Sequence, residues 1–272
     1  MRNVNGKVAV VTGGGSGIGR VIVLELAKLG ASVAVADINL DNAKKVAQEA
    51  GPKATAHHVD VSSAEQFIAL REEVLAAHGV VDILVNNAGV GTAPCQFVEA
   101  KLEDVRRIID INLWGAINGS HAFLPQLMKR PEASLVNIGS YTGMLGTMTM
   151  VGYSTSKFAV RGFTEALRME LVPSPVTVTL VMPGVTRTAL MENSPLVSGK
   201  QKEDLAKAFA NAPAVGPEVV AAGVLKGIRG KKPLVLTGKD TKMLDKIVRL
   251  APGRYSQLMY KPLKKSLDKT VG

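Results

Sequence analysis

A tyrosine and a lysine lie four residues apart in the segment VGYSTSKFAV, residues 151–160. If this segment is helical, Tyr153 and Lys157 share one face and are one turn apart. A free phenol has a pKa of about 10 and is a poor base at neutral pH. A neighbouring ammonium favours the phenolate, so the pair could serve proton transfer. The same spacing also occurs in ordinary surface pairs. Whether this pair is catalytic therefore depends on the elements that surround it.

The elements that position this pair alternate between strands and helices. Strands are predicted at 7–11, 32–37, 54–61, 81–89, 133–140, 176–184 and 233–238. Helices are predicted at 18–29, 40–50, 102–129, 151–171 and 217–229, and a further helix follows a Ser62–Glu65 capping box. Nearly continuous apolar strands separated by helices are typical of a parallel sheet covered on both faces. We therefore predict a doubly wound α/β domain over 1–238, followed by an extension over 239–272.

The net charge of +10 belongs to the end of the chain. The segment from Lys226 to Gly272 holds thirteen lysines and arginines and three aspartates, whereas the preceding 225 residues hold 20 basic and 20 acidic residues. The first 225 residues are thus neutral, and the charge does not indicate nucleic-acid binding.

The composition excludes several kinds of site and location. Because Cys95 is the single cysteine, the chain has no disulfide framework and no cysteine-based zinc site. The four histidines have no clustered ligands around them, so no metal is expected. No apolar run reaches the roughly 20 residues of a membrane-spanning helix, and the first strand leaves no room for a signal peptide. We expect a cytoplasmic protein.

A glycine-rich turn, TGGGSGIG at 12–19, joins the first strand to the first helix. Such glycines let the backbone approach a pyrophosphate, which lies on the N–H groups at the helix start; a simple tight turn is the alternative. Gly13, Gly17 and Gly19 fit the first arrangement. Asp37 follows Gly19 by 18 residues, close to the roughly 20-residue offset of a carboxylate that binds the ribose 2′-hydroxyl. Unless it is merely a solvated strand-end residue, Asp37 favours NAD, because it repels the 2′-phosphate of NADP.

Further motifs follow in order: NNAG at 86–89, DINLWG around Asn112, LVNIGS ending at Ser140, YSTSK at 153–157 and PGVTRT at 183–188. With the glycine turn, this ordered set resembles the single-domain branch of the short-chain dehydrogenase/reductase family over about residues 5–238. The resemblance implies a Rossmann-type fold and hydride transfer between NAD(H) and a secondary alcohol or ketone.

The resemblance also implies roles for individual residues. Tyr153 exchanges the proton, Ser140 holds the substrate oxygen, and Lys157 assists Tyr153 and binds the nicotinamide ribose. Asn112 orients a water that relays protons to Lys157. Two residues depart from the family pattern. Gly139 stands where the family often has serine, and Thr186 stands where valine or isoleucine is common. The implied cofactor-binding set is Gly13, Ser16, Gly17, Ile18, Gly19, Asp37, Asp60, Val61, Asn87, Ala88, Gly89, Tyr153, Lys157, Pro183, Gly184, Thr186 and Thr188.

Apolar residues surround the expected substrate position. The segment after Ser140, YTGMLGTMTM, holds three methionines and a leucine. The expected lid presents Leu190, Met191, Leu196, Val197 and Phe209. If these residues contact substrate, rather than packing on the core or a partner subunit, they predict a lipophilic steroid, retinoid or fatty-acyl substrate.

The extension over 239–272 has a basic amphipathic pattern, interrupted at Pro252-Gly253. It could lie on an anionic membrane surface, but packing on its own domain or on a neighbouring subunit is the favoured interpretation. Family precedent suggests a homodimer or homotetramer. Two other functions stay open: an NADPH-dependent 3-oxoacyl reductase whose tail recruits an acidic carrier protein, and a non-catalytic dinucleotide sensor. Asp37 argues against the first, and the intact Ser140, Tyr153 and Lys157 argue against the second.

Overall fold

The computed structural model describes residues 1–188, 190, 194–197, 199–200, 202–203 and 214–271, with side chains described as far as residue 264. The strands are β1 Val8–Thr12, β2 Ser32–Asp37, β3 Ala54–His58, β4 Ile83–Asn86, β5 Ala133–Ile138, β6 Val176–Pro183 and β7 Leu234–Thr237. They form one parallel sheet in the order β3-β2-β1-β4-β5-β6-β7. The predicted doubly wound α/β fold is confirmed and every predicted strand is present, although β3 and β4 are shorter than the predicted 54–61 and 81–89.

Helices cover both faces of this sheet. They are α1 Gly17–Lys28, α2 Leu40–Ala50, α3 Ala64–His78, α4 Leu102–Ile109, α5 Gly115–Leu127, α6 Val151–Glu170, α7 Pro217–Gly230, α8 Lys239–Leu250 and α9 Tyr255–Val271. On one face, α1, α2 and α7 bury Ile22, Val46 and Val224 against the strands. On the other, α3 and α5 bury Phe67 and Phe123. Each such side chain stabilises the fold by about 1.5–3 kcal/mol, so both layers hold the sheet.

The order of the strands changes direction at β1. The chain first adds β2 and β3 on one side of β1, and then returns to add β4 to β7 on the other side. In open parallel sheets, ligands bind outside the carboxyl ends of the strands beside this reversal. The glycine turn after β1 and the segment after β4 both lie there.

The region predicted as one helix over 102–129 is interrupted. A π-helical turn, Asp110–Trp114, separates α4 from α5. Isolated π turns inside α-helices occur frequently at functional sites. This turn carries Asn112, one of the predicted catalytic residues.

The predicted capping box of α3 is wrong by one residue. Ser63, not Ser62, caps the helix, and its hydroxyl accepts a hydrogen bond from the backbone N–H of Gln66 at 3.2 Å. The Ser62 hydroxyl instead donates to Asp60 at 2.6 Å. From the sequence, either of the two adjacent serines could cap the helix. Because the carboxylate of Asp60 binds the Ser62 hydroxyl, Ser63 is the residue that caps it.

The C-terminal helices α8 and α9 pack on the rest of the chain. Leu244 is buried, and Val248, Tyr255 and Met259 are partly buried in the same apolar cluster as Leu145. The packing agrees with the favoured interpretation of the extension, whereas the domain boundary at 238 stays a prediction. Within the residues that the structure describes, no helix is long and apolar enough to cross a membrane.

Candidate active site

The glycine turn after β1 has a conformation that requires glycine at two positions. Gly13 and Gly17 have φ angles of 62° and 51°, in the left-handed region that favours glycine. At Gly19 a Cβ would overlap the carbonyl oxygen of Gly13, so only glycine lets α1 approach the turn this closely. The side chain of Ser16 does not cap α1. The first N–H groups of the helix therefore remain available to an anion, as a pyrophosphate site requires.

Thr12 and Asn87 fix this turn against the end of β4. The Asn87 amide donates to the carbonyl oxygens of Thr12 and Gly13, at 2.9 and 3.2 Å. The Thr12 hydroxyl accepts the backbone N–H groups of Asn87 and Ala88, at 3.0 and 3.1 Å. Sequence reasoning assigned no role to Thr12, although it is the first residue of the glycine motif.

Asp37, at the end of β2, faces the glycine turn. Its carboxylate accepts the backbone N–H groups of Gly15 and Asn39, each at 2.9 Å. Each oxygen keeps further lone pairs for a ligand. The next residue, Ile38, is apolar and 59% exposed, and both residues line the same cavity. Asp37 is thus a partly buried, anchored carboxylate rather than a freely solvated one.

A second carboxylate lies on the neighbouring strand connection. Asp60 accepts the backbone N–H of Ser62 at 2.9 Å as well as its hydroxyl, and Arg107 approaches at 3.5 Å. Burial raises the pKa of Asp60, but the hydrogen bonds from Ser62 and the charge of Arg107 outweigh it, so the pKa lies below its usual value. The carboxylate is therefore ionised at neutral pH and able to accept a ligand N–H. Arg107 also lines the cavity, and the sequence analysis did not identify it.

Tyr153 and Lys157 are one turn apart on α6, as their spacing predicts, and both are buried. The Lys157 Nζ atom lies 5.7 Å from the centre of the Tyr153 ring and donates to the carbonyl oxygen of Ile138 at 3.2 Å. Ile138 ends β5, and Ser140 follows two residues later. The end of this strand therefore supplies both the carbonyl partner of the lysine and the predicted catalytic serine.

Burial changes the pKa of both side chains. It raises the pKa of Tyr153 to about 12, against the lowering effect of a hydrogen bond with Ser140. It also lowers the pKa of Lys157 to about 8. A lowered tyrosine pKa is expected from the ammonium together with the positive charge of oxidised nicotinamide, whereas among the groups of the chain itself burial prevails. Tyr153 is therefore suited to donate a proton at neutral pH, and needs a further positive charge nearby to accept one.

Asn112 clamps the segment after β4. Its Oδ1 atom accepts the N–H of Val90 at 2.8 Å, and its amide donates to the carbonyl oxygen of Val90 at 3.0 Å and to the Ser156 hydroxyl at 3.1 Å. Both amide hydrogens are used. The predicted water-orienting role stays a prediction, and it would have to use Oδ1 or the backbone carbonyl of Asn112.

A cavity of about 350 Å³ at the carboxyl edge of the sheet gathers most of the predicted site residues. Its wall includes the predicted catalytic residues Ser140, Tyr153 and Lys157. It also includes the predicted cofactor-binding residues Gly13, Ser16, Gly17, Ile18, Asp37, Asp60, Val61, Asn87, Ala88, Gly89, Pro183, Gly184, Thr186 and Thr188. Gly19 and Asn112 are not part of the wall and support it from behind.

The cavity wall also includes the apolar residues Met150, Leu190 and Pro195. Thr142 also belongs to it, and its buried hydroxyl has no hydrogen-bond partner among the described residues. No sequence motif marks Thr142, because the direction of its side chain depends on the conformation of the loop after β5.

Within YTGMLGTMTM, Tyr141, Thr142 and Met150 line the cavity, and the other seven residues do not. Met144 and Leu145 are buried in the apolar cluster beneath α8, whereas Met150 lines the cavity. Of the expected lid residues, Leu190 lines the cavity, and Val197 is buried with Met150 and Ala93 beside it. Leu196 borders a second, smaller cavity. Met191 and Phe209 lie outside the residues that the structure describes.

The histidines have structural surroundings. His57 is buried, with Nδ1 2.8 Å from a carboxylate oxygen of Glu73, whereas His58 is exposed on the opposite face of β3. Over the described part of the chain, no group of three or more histidine, cysteine, aspartate and glutamate side chains could hold a metal ion.

Comparison with known proteins relates this site to a family. A family model described as short chain dehydrogenase matches residues 7–196. SadH of Mycobacterium tuberculosis, named as an oxidoreductase, is 35% identical over 265 residues, which cover 95% of this chain and 96% of SadH. A 3-alpha-(or 20-beta)-hydroxysteroid dehydrogenase of Mycobacterium tuberculosis is 36% identical over 190 residues, covering 69% of this chain and 72% of that protein.

A solved structure agrees with these relatives. The crystal structure of a short chain dehydrogenase/reductase from Burkholderia phymatum in complex with NAD matches with a TM-score of 0.84 and 27% identity. The match covers 92% of this chain and 95% of that chain. The chain therefore belongs to the short-chain dehydrogenase/reductase family, a family of oxidoreductases.

The position of Tyr153 predicts the effect of removing its hydroxyl. General acid–base catalysis contributes about 10²–10⁴-fold to a rate, so Tyr153→Phe should lower kcat at least about 100-fold. Dinucleotide affinity should fall much less, because the variant removes one hydroxyl of the whole cofactor-binding set. Nicotinamide absorbance measures turnover, and fluorescence titration measures binding. Tyr260→Phe, at an exposed tyrosine on α9, is the matched control and should keep full activity. Undiminished turnover in Tyr153→Phe would show that another group exchanges the proton.

Proposed function

We propose that this protein transfers a hydride between NAD(H) and a lipophilic secondary alcohol or ketone of steroid, retinoid or fatty-acyl type. The observation that carries the proposal is the continuity of one cavity, which has the Asp37 carboxylate in its wall near the glycine turn and Ser140, Tyr153 and Lys157 in its wall near β5. A dinucleotide site and a proton-transfer set thus share one space. A sensor would need the first but not the second.

The residues around the cavity fit a bound dinucleotide. The pyrophosphate would lie on the first N–H groups of α1, and Asp37 would accept the hydroxyls of the adenosine ribose. Asp60 and Val61 would flank the adenine, and the segment 183–188 would contact the carboxamide. Lys157 would donate to the nicotinamide ribose. When bound, NAD supplies the hydride acceptor and a positive charge.

The pKa values of Tyr153 and Lys157 support the proposed proton-transfer roles. With a pKa raised to about 12, Tyr153 holds its proton at neutral pH and can donate it to a ketone oxygen. The Ser140 hydroxyl would hold that oxygen in place. In the oxidation direction, a positive charge beside the ring favours the phenolate, which then removes the alcohol proton. Lys157 would pass protons onward through the water that Asn112 is predicted to orient.

The choice of NAD over NADP rests on the environment of Asp37. A carboxylate accepts the hydroxyls of an unmodified ribose but repels a 2′-phosphate. The side chain that follows it, Ile38, is apolar and exposed and offers the phosphate no positive charge. The same observation disfavours the NADPH-dependent 3-oxoacyl reductase as an alternative.

Replacing the Asp37 carboxylate by an amide tests this choice directly. A repulsion of about 1.4 kcal/mol corresponds to tenfold in binding, so the wild-type protein should prefer NADH to NADPH at least about tenfold in kcat/KM. Asp37→Asn keeps a hydrogen-bond acceptor for Gly15 and should reduce that preference. Asp41→Asn, at an exposed position in α2, is the control that should leave it unchanged. Faster turnover of the wild-type protein with NADPH than with NADH would contradict the assignment of NAD as the cofactor.

The lipophilic substrate is proposed from the apolar residues of the cavity wall. Met150, Leu190 and Pro195 present carbon surface there, and burying such surface is worth about 25 cal/mol per Å². One relative is a hydroxysteroid dehydrogenase by name, which is consistent with a large apolar substrate. The unpartnered Thr142 hydroxyl would supply a polar contact beside the reacting oxygen.

A screen of alcohols and ketones with NAD(H), followed by nicotinamide absorbance, tests the substrate class. Steroid, retinoid and fatty-acyl alcohols should give higher kcat/KM than small charged alcohols. Leu190→Ala removes apolar surface and should lower kcat/KM for the best lipophilic substrate about 10–200-fold. Leu102→Ala, at an exposed leucine that is not part of the cavity wall, should have no such effect. A preference for small charged substrates would refute the proposal.

We also propose that the protein is a homo-oligomer, as the resemblance implies. The outward face of α6 carries the exposed apolar residues Val151, Phe158, Ala166 and Met169. An apolar stripe along one helix is typical of a surface that pairs with its own copy about a two-fold axis. The same helix carries Tyr153 and Lys157 on its inward face, so association would also rigidify the catalytic pair.

A charge placed in the centre of this stripe tests the oligomer. Phe158→Asp should shift the protein towards the monomer, because a carboxylate would be buried at the contact without a partner. Light scattering coupled to size exclusion measures the mass. Ile68→Asp, at an exposed isoleucine on α3, is the matched control. A wild-type protein that is already monomeric would overturn this part of the proposal.

A further inference from the structure

The outward face of α8 is basic and apolar at once. Its exposed residues recur at intervals of three and four along the helix, which places them within about 120° of its circumference. They are Lys239, Lys242, Met243, Lys246, Arg249 and Leu250. Met243 and Leu250 are 57% and 86% exposed. This set, named here the α8 stripe, contains no acidic residue.

The packing of α8 fixes the direction of the stripe. Leu244 and Val248, on the opposite side of the helix, pack into the apolar cluster that also holds Leu145. Asp240 faces the core side, where it accepts the backbone N–H of Val185 at 3.4 Å. Asp245 lies at the flank and pairs with Arg249 at 2.9 Å. The helix therefore cannot turn its basic and apolar side chains inward without losing these contacts.

The charge of the chain is concentrated in the same region. The segment 239–272 holds nine lysines and arginines and three aspartates, which leaves it six net positive charges. On α9, Leu258 and Tyr260 are exposed beside Lys261 and Lys264. Exposed apolar side chains among lysines thus continue beyond α8.

We propose that the α8 stripe, continued by the exposed side chains of α9, docks on the surface of an anionic lipid bilayer. Lysine and arginine stems can extend their charges to lipid headgroups, while Met243 and Leu250 enter the acyl boundary. The positive charge of the stripe complements anionic lipid headgroups. Its exposed apolar residues would be more stable in the acyl region of a bilayer than in water. A nucleic acid would use the charges but would gain nothing from exposed methionine and leucine.

Docking through this surface would place the bilayer next to the cavity. The first turn of α8 contacts Val185, a residue of the cavity wall. The inward face of the helix packs in the same cluster as Tyr141, another residue of that wall. The docking surface and the cavity wall therefore contact opposite sides of the same helix. The inference does not depend on which substrate the cavity accepts.

Co-sedimentation with lipid vesicles tests the proposal on the full chain. We expect binding to phosphatidylcholine vesicles that contain phosphatidylglycerol, weak binding to pure phosphatidylcholine, and loss of binding as salt screens the charges. Each lysine or arginine near an anionic surface contributes about fivefold to the affinity. The double variant Lys242→Gln and Lys246→Gln should therefore bind about 25-fold more weakly.

Two further variants separate the apolar and the charge contributions. Met243→Ser with Leu250→Ser should weaken binding even at low salt, because the stripe then has charge without apolar surface. Lys44→Gln with Lys45→Gln, at exposed lysines of α2, removes the same charge elsewhere and should bind like wild type. Circular dichroism and turnover of a soluble substrate check that every variant remains folded.

Three outcomes would overturn the proposal. The first is no difference between anionic and neutral vesicles. The second is equal weakening by the α2 and α8 lysine variants, which would indicate net charge rather than a surface. The third is a concentration-dependent increase in mass that the α8 variants abolish without any vesicle binding, which would assign the stripe to a second copy of this chain.

Discussion

The burial of the Lys157 ammonium is the constraint on which the site depends. Removing a charge from water is costly unless polar groups replace the water. Here the carbonyl oxygen of Ile138 accepts one N–H, and the aromatic ring of Tyr153 lies nearby. A Cβ at Gly89 would lie 3.6 Å from the ammonium, so the missing side chain leaves space for a ligand hydroxyl. The same burial that lowers the lysine pKa keeps the tyrosine protonated, and both effects come from one enclosed edge of the sheet.

That edge is held together by side-chain hydrogen bonds of Thr12, Asn87 and Asn112. Thr12 and Asn87 join the ends of β1 and β4 through four hydrogen bonds. Asn112, on the π-helical turn, then fixes Val90 and, through Ser156, the helix that carries the catalytic pair. The π turn contributes here because it sets the position of Asn112 between two regular helices. The glycine turn and α6 are thereby tied to the same strand ends.

Most of the fold could be predicted from the sequence because parallel strands buried on both faces leave an unambiguous apolar pattern. The positions of Asp37, Ser140 and Tyr153 in the cavity wall could be predicted for a related reason, since each follows from the end of a strand or from helix spacing. Other features depend on contacts that the pattern does not contain. The π turn at Asn112 interrupts a segment whose residues all suit a helix.

Side-chain direction was harder to predict than element position. Ser62 and Ser63 are equally good caps until the carboxylate of Asp60 binds one of them. Met144 and Met150 belong to the same irregular loop, yet one is buried beneath α8 and the other faces the cavity. In an irregular loop, a residue's position in the sequence does not determine the direction of its side chain. Only the tertiary structure therefore shows which side chains face the core and which face the cavity.

The uneven distribution of charge has a consequence for how the molecule moves. The first 225 residues are neutral, while the last helices carry the excess, so the positive charge is unevenly distributed and gives the protein an electric dipole moment. In the field near a charged surface, which extends about 10 Å at 0.1 M salt, a dipole experiences a torque as well as a force. Rotation would therefore align the positive pole with a negative surface before contact, and fewer encounters would begin in an unproductive orientation.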